Sequence, residues 1–209
     1  IMEDKEILNL LEETGAIQHG HFILSSGKRS AIYCQCAKLF IFPKIAEKLC
    51  KFLAIKVLEE IDDKINYVVA PAMGGILVGY ELSRHLKAKS VFYERVDGAF
   101  KLRRGFKIEP NSKVLLVEDL TTDGGSKIKF VEAIRKAEGI CNHTAVIFYY
   151  DIFPKTLAKL SSHNITLHYL CSWDDILEAA RKGNYFDKKT LDQVELFLSN
   201  PFDWSKTTK

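Results

Sequence analysis

Two carboxylates followed at once by hydroxyls and glycines stand in the run Val114-Leu-Leu-Val-Glu118-Asp119-Leu120-Thr121-Thr122-Asp123-Gly124-Gly125-Ser126. The run opens apolar, turns acidic and ends in a hydroxyl- and glycine-rich turn. Read as a strand, a turn and a helix start, it offers an anion free N–H groups and the positive end of a helix dipole. Gly124 and Gly125 let backbone approach a phosphate closely. Thr121, Thr122 and Ser126 add hydroxyl donors. Two acids beside such a cradle repel a bare anion. They make sense if the ligand carries hydroxyls for Glu118 and Asp119 to accept from, or a bridging Mg²⁺. A phosphorylated sugar meets both demands. The absence of a Walker A lysine disfavours a nucleoside triphosphatase, and the absence of G-x-G-x-x-G disfavours dinucleotide binding.

A second stretch is basic. Arg95, Lys101, Arg103 and Arg104 fall within residues 95–107, read here as a long exposed loop of the kind that often carries function. Beside an anion cradle they are candidate cations; standing alone, such a run is usually a solvated face. The five cysteines are odd in number and contain no C-x-x-C pair, which points to reduced thiols. Cys34 and Cys36 lie near His19 and His21, but the spacing fits no closed zinc motif, so packing is the expectation.

The elements that must position these residues follow from periodicity. Residues 2–13 read as a helix stopped by Gly15, and residues 22–24 and 31–36 as short strands around the turn 25–28. Pro43 opens a strong helix with apolar Ile45, Leu49, Phe52, Leu53 and Val57 at helical spacing. Strands are then expected at 67–70, 90–93, 113–117, 144–148 and 166–170, alternating with helices, and residues 173–197 as helical. Continuous apolar strands alternating with helices predict an α/β fold: a parallel sheet flanked by helices, with residues 1–40 as a cap outside it. The composition agrees with one folded domain over residues 1–209: 47% apolar, 27% charged, 30 basic against 27 acidic side chains and a net charge of +3. That charge gives no reason to expect nucleic acid. The uncharged stretch 66–80 is too short to span a membrane and is broken by Pro71, Gly74 and Gly75. No secretory signal is read at the acidic start, so a cytoplasmic location is expected.

The acidic segment resembles the 5-phosphoribosyl 1-pyrophosphate (PRPP) signature of type I phosphoribosyltransferases. Phe22-Ile-Leu-Ser-Ser-Gly-Lys-Arg-Ser30 resembles the hood motif of the orotate phosphoribosyltransferase family. Pro71-Ala-Met-Gly-Gly75, Arg95-Val-Asp-Gly and Leu102-Arg-Arg-Gly-Phe106 are similar to its bacterial branch. The resemblance implies that the type I fold carries residues 1–40 as an N-terminal hood. It implies that Glu118 and Asp119 bind the ribose hydroxyls. It assigns Leu120, Thr121, Thr122, Asp123, Gly124, Gly125 and Ser126 to PRPP, and Ala72, Met73, Gly74 and Gly75 to a pyrophosphate loop. Thr122, Ser25, Lys28 and Tyr33 would contact orotate. Arg95, Lys101, Arg103 and Arg104 would sit on a mobile loop, 95–106, that completes the adjacent subunit's site in a homodimer, with Lys101 as catalytic cation beside Glu118 and Asp119. The implied cofactor is Mg²⁺, bound through the pyrophosphate rather than directly by the chain. PRPP and orotate are the implied partners, and neither nucleic acid nor a membrane is expected.

The chain departs from the family pattern at four points. Ser25 and Gly74 stand where better-known members carry lysine. The loop lacks the form R-K-x-x-K-x-H-G. After the fourth sheet strand, Phe148-Tyr-Tyr-Asp-Ile-Phe153 lacks the arginine that holds orotate. The orotate carboxylate must therefore find another partner, such as a hood N–H, Lys28 or Arg29. Two competing expectations remain: a phosphoribosyltransferase for another base, and a PRPP-sensing regulator. The regulator would need a basic nucleic-acid-binding element.

Overall fold

The computed structural model describes residues 4–24, 29–184 and 186–207. In chain order the elements are α1 (Asp4–Glu13), β1 (Ile17–Ile23), β2 (Arg29–Cys34), a 3₁₀ turn (Cys36–Ile41), α2 (Pro43–Glu60), β3 (Tyr67–Pro71), α3 (Gly74–Leu86), β4 (Lys89–Val96) and β5 (Ala99–Leu102). There follow β6 (Lys113–Thr121), α4 (Gly125–Lys136), β7 (Ile140–Tyr149), α5 (Thr156–Ser161), β8 (Thr166–Ser172), α6 (Trp173–Gly183), α7 (Lys188–Ser199) and α8 (Pro201–Thr207). Two compact units result: residues 43–170, and residues 1–42 together with 171–209.

The larger unit is built on a six-stranded sheet of order β5-β4-β3-β6-β7-β8. β4, β3, β6 and β7 run parallel, as their continuous apolar sequences predict. β3 shows why. Its alternate residues Tyr67 and Val69 join a core cluster with Ile128, Phe130, Val131 and Ile134 of α4. Val68 and Ala70 point the other way, onto α3, where a Cβ on Gly79 would come within 2.8 Å of the Ala70 Cβ. All four positions are therefore buried.

Two expectations need correction. The sheet is mixed, because β5 pairs antiparallel with β4. Residues 95–107 are accordingly not one long loop: Arg95 and Val96 finish β4, and Ala99–Leu102 return as a strand. Asp97 (φ 52°) and Gly98 (φ 77°) form a two-residue turn with both φ positive, the geometry that matches sheet twist and that Asp-Gly favours. Phe100 then packs on Phe130 of α4, ring centroids 4.4 Å apart, and Phe106 on Phe92 at 5.0 Å. The helix between β7 and β8 is short, only Thr156–Ser161.

In the smaller unit, β1 and β2 form an antiparallel pair. The helical stretch expected at 173–197 is broken. Asn184 (φ 55°) ends α6, and Asp187 restarts the chain by capping α7 through the Thr190 N–H at 2.7 Å. α6 itself starts on a capping box of Ser172 and Asp175. Cys34 and Cys36 are buried, with sulfurs 3.5 Å apart. His19 and His21 instead set their rings against Phe186 and Trp204.

Candidate active site

The larger unit brings the acidic run to the carboxyl end of β6, beside the end of β3, where open parallel sheets bind ligands. β6 runs on through Thr121, so Glu118, Asp119 and Leu120 are strand residues that emerge half-buried from a fully buried apolar stem. The Leu120 N–H donates to Asp119 Oδ1 at 2.9 Å. Asp119 Oδ2 faces residues 72–75: a Cβ on Gly74 would stand 3.9 Å from it. Asp119 has no salt-bridge partner among the described residues. Burial pushes its carboxyl above the ordinary value, and the Leu120 N–H works against that shift.

Glu118 is held differently. Lys127, on the first turn of α4, donates from Nζ to Glu118 Oε2 and to the Leu120 carbonyl at 3.3 Å. Beyond Asp119, the turn 121–124 feeds α4. Thr121 is buried, and its hydroxyl has no hydrogen-bond partner among the described residues. Thr122 accepts from Thr156 Oγ1 at 3.3 Å through its carbonyl. Asp123 Oδ1 accepts from the Gly125 N–H at 3.0 Å. Gly124 holds φ 74°, a left-handed turn that directs the chain into the helix. Ser126 is exposed on the first turn of α4.

Residues 72–75 enter α3 in the same manner. The Ala72 N–H donates to the Tyr93 carbonyl at 2.8 Å, and the Ala72–Met73 peptide bond is cis. Met73 caps α3, and Gly74 and Gly75 form its first turn. A Cβ on Gly75 would lie 2.6 Å from Pro71 Cδ, so only glycine allows this turn to fold back on the strand end. The strand-end acids are thus flanked by two helix N-termini, of α3 and α4, each a natural anion site.

The basic residues are spread along the β4–β5 hairpin. Arg104 Nε pairs with Glu94 at 2.6 Å, and Arg103 approaches the same carboxylate at 3.7 Å. Arg95 lies over the Phe100 ring at 5.1 Å. Lys101 is exposed, opposite Glu94 in the strand register, and has no salt bridge among the described residues. Tyr33 belongs to the smaller unit and stacks on Phe22 at 5.5 Å. Ser25 and Lys28 lie outside the described residues.

Sequence reading missed two lysines. Lys127 follows the motif directly, but a lysine opening a helix reads as surface charge. Lys159 of α5 places Nζ 3.3 Å from where a Gly125 Cβ would stand, at the mouth of the α4 turn. Nothing in the spacing points to it; the α5–turn contact creates the proximity.

Comparison with known proteins agrees with this geometry. Residues 42–161 match the phosphoribosyl transferase domain family. An orotate phosphoribosyltransferase of Cereibacter sphaeroides is 41% identical over 196 residues, covering 91% of this chain and 84% of the relative. One of a Ruegeria species is 40% identical, covering 96% and 91%. The chain belongs to the orotate phosphoribosyltransferase family. Among solved structures, the orotate phosphoribosyltransferase of Francisella tularensis shares the fold, with a TM-score of 0.71 at 19% identity, covering 92% of this chain and 97% of that one. UMP synthase of Leishmania donovani aligns with a TM-score of 0.79 at 20% identity, covering 94% of this chain and 42% of that one.

Proposed function

We propose that the protein transfers the 5-phosphoribosyl group of PRPP to orotate, giving orotidine 5′-phosphate and pyrophosphate, a step of pyrimidine nucleotide synthesis. One observation carries the PRPP half: a half-buried Asp119, without a salt-bridge partner among the described residues, between the turn 121–126 and the loop 72–75. A ligand with two anionic ends and hydroxyls between them fits that order. The orotate half is supported by relatives about 40% identical over most of the chain.

In this reading Glu118 and Asp119 accept hydrogen bonds from the ribose hydroxyls. The α4 start, with Thr121, Thr122 and Ser126, holds the 5′-phosphate, and the α3 start, with Gly74 and Gly75, holds the pyrophosphate. A pyrimidine nitrogen attacks the anomeric carbon with inversion as pyrophosphate leaves. Positive charge grows on the ribose in the transition state, and the two carboxylates stabilise it. Mg²⁺ fits here because Asp119 is a hard oxygen donor without a cation among the described residues. Bound through the pyrophosphate near Asp119, the ion would neutralise charge on the leaving group.

Lys101 is the proposed catalytic cation, exposed on its hairpin and without a salt bridge among the described residues. Arg103 and Arg104 would exchange Glu94 for phosphate, and Arg95 would join them. The hairpin would complete a neighbouring site in a homodimer. An exposed apolar stripe one helical face long, Met73, Leu77 and Tyr80 on α3, supports a second copy as its cover. The N-terminal hood, with Ser25, Lys28 and Tyr33, would cover the base in a single phosphoribosyltransferase domain. Thr122 would contact the base from below. A cytoplasmic enzyme is the matching location; no helix among the described residues is long and apolar enough to cross a membrane.

The test is loss of orotate absorbance, expected only with both PRPP and Mg²⁺ present. Glu118→Gln with Asp119→Asn should keep the fold and cut turnover by orders of magnitude. Near-normal turnover in that variant would refute the site. Since residues 148–153 lack the family arginine, a panel of other bases belongs in the same assay. Preference for a different base would overturn the orotate assignment and leave PRPP binding intact.

A further inference from the structure

Lys127 occupies a place where an ordinary lysine is out of keeping. The first turn of a helix favours acids, because the dipole is positive there. The side chain is 2% exposed, so its ammonium does not reach water as surface lysines do. Burial pulls that ammonium down to about 7. Glu118 Oε2 accepts directly from Nζ. The Leu120 carbonyl accepts a second bond at 3.3 Å. One buried ammonium therefore fastens the strand end on either side of Asp119.

An apolar pair in place of both Lys127 and Glu118 would often serve stability as well or better, because a buried ion pair must first repay its desolvation. What an apolar pair cannot do is present a carboxylate in a fixed direction. We propose that Lys127 is a positioning residue: it orients Glu118, and the strand end from 118 to 120, to receive the ribose hydroxyls of PRPP. The proposal rests on the reading of that strand end as the ribose site. Lys127 touches no substrate in it and acts only through Glu118 and the Leu120 carbonyl.

That indirect action makes a sharp test, a double-mutant cycle on PRPP. The four proteins are wild type, Lys127→Met, Glu118→Gln and the double variant, each checked for a cooperative thermal transition. In the wild-type background Lys127→Met should raise KM for PRPP about tenfold or more, the worth of a hydrogen bond to a charged group, with a smaller fall in kcat. In the Glu118→Gln background the same change should add less than about twofold. Independent, multiplying effects would overturn the proposal, as would a folded Lys127→Met with an unchanged KM. A merely structural lysine would lower the transition temperature and leave KM alone. If the methionine variant does not fold, Lys127→Gln, which keeps a donor without the charge, carries the same cycle. Wild-type protein that binds PRPP but does not convert orotate would count against the proposed reaction only. The cycle, read then as PRPP dissociation constants by calorimetry, would still decide Lys127. Wild-type protein that binds no PRPP would overturn both.

Discussion

Lys159 and Glu118 show how differently two residues of the candidate site can be written into a chain. Glu118, Asp119 and the hydroxyls after them are contiguous, so strand, turn and helix start can be read together from one short run. That is why this part of the site was legible. Lys159 comes from α5, and only the packing of α5 on the turn, through Thr156 and the Thr122 carbonyl, brings its ammonium to Gly125. No local pattern encodes such a contact. An exposed cation at a helix start contributes modestly, so Lys159→Ala should raise KM for PRPP about two- to fivefold and leave kcat nearly unchanged. Steady-state kinetics at varied PRPP check this. An unchanged KM would mean that Lys159 is only a solvated neighbour of Asp123. Lys127 was hidden for another reason: its type suggested the surface, and burial is a tertiary fact.

At the scale of elements, the parallel core was legible because strands buried on both faces carry continuous apolar runs. The β4–β5 hairpin was legible too, yet it was read as a loop. Asp97-Gly98 is a strong hairpin signal, and Phe100 and Leu102 alternate with exposed Ala99 and Lys101. The four basic side chains around that alternation made it look like a solvated run. What anchors the hairpin is aromatic: Phe100 on Phe130, with Arg95 over the Phe100 ring. Phe100→Ala should therefore release β5 from α4. The cost should be about 1–2 kcal/mol, less than for a fully buried phenylalanine, because Phe100 is only partly buried. Limited trypsin digestion should cut faster at Lys101, Arg103 and Arg104, while the parallel core keeps its circular dichroism. Unchanged cleavage would show that the Glu94 ion pairs, not the ring contact, hold the hairpin in place.

At the scale of the whole molecule, a net charge of +3 says little until its parts are located. Basic groups gather on the hairpin, and acids on the strand end and turn; in the proposed reading these are the groups that meet the ligand. Ligand anions are thus met locally rather than by a global field. At the amino ends of β7 and β8 lies another arrangement of titratable groups, Glu60, His168 and His143. Glu60 accepts from His168 Nδ1 at 2.5 Å, and His168 Nε2 shares a hydrogen bond with His143 Nδ1 at 3.0 Å. His168 is buried, and His143 lines a cleft of about 480 Å³ with Asn142, Ser161, Asn164 and Thr166. Burial holds His143 below the ordinary histidine value; His168 and Lys113 add to this, and Asp63 opposes it. The folded protein therefore binds a proton at His143 less readily than the unfolded chain does. Above about pH 6.5, the ordinary histidine value, both states are neutral there and the contribution is fully present. It is lost as pH falls from that value toward the lower folded one. One full proton would give a slope of about 1.4 kcal/mol per pH unit, and His143 should give less because its shift is partial. Urea unfolding between pH 8 and pH 5 should show stability falling on the acid side. His143→Asn should flatten that fall, since its side chain can still hydrogen-bond to His168 Nε2 but cannot take up a proton. An equally steep fall in the variant would assign the acid sensitivity to other groups.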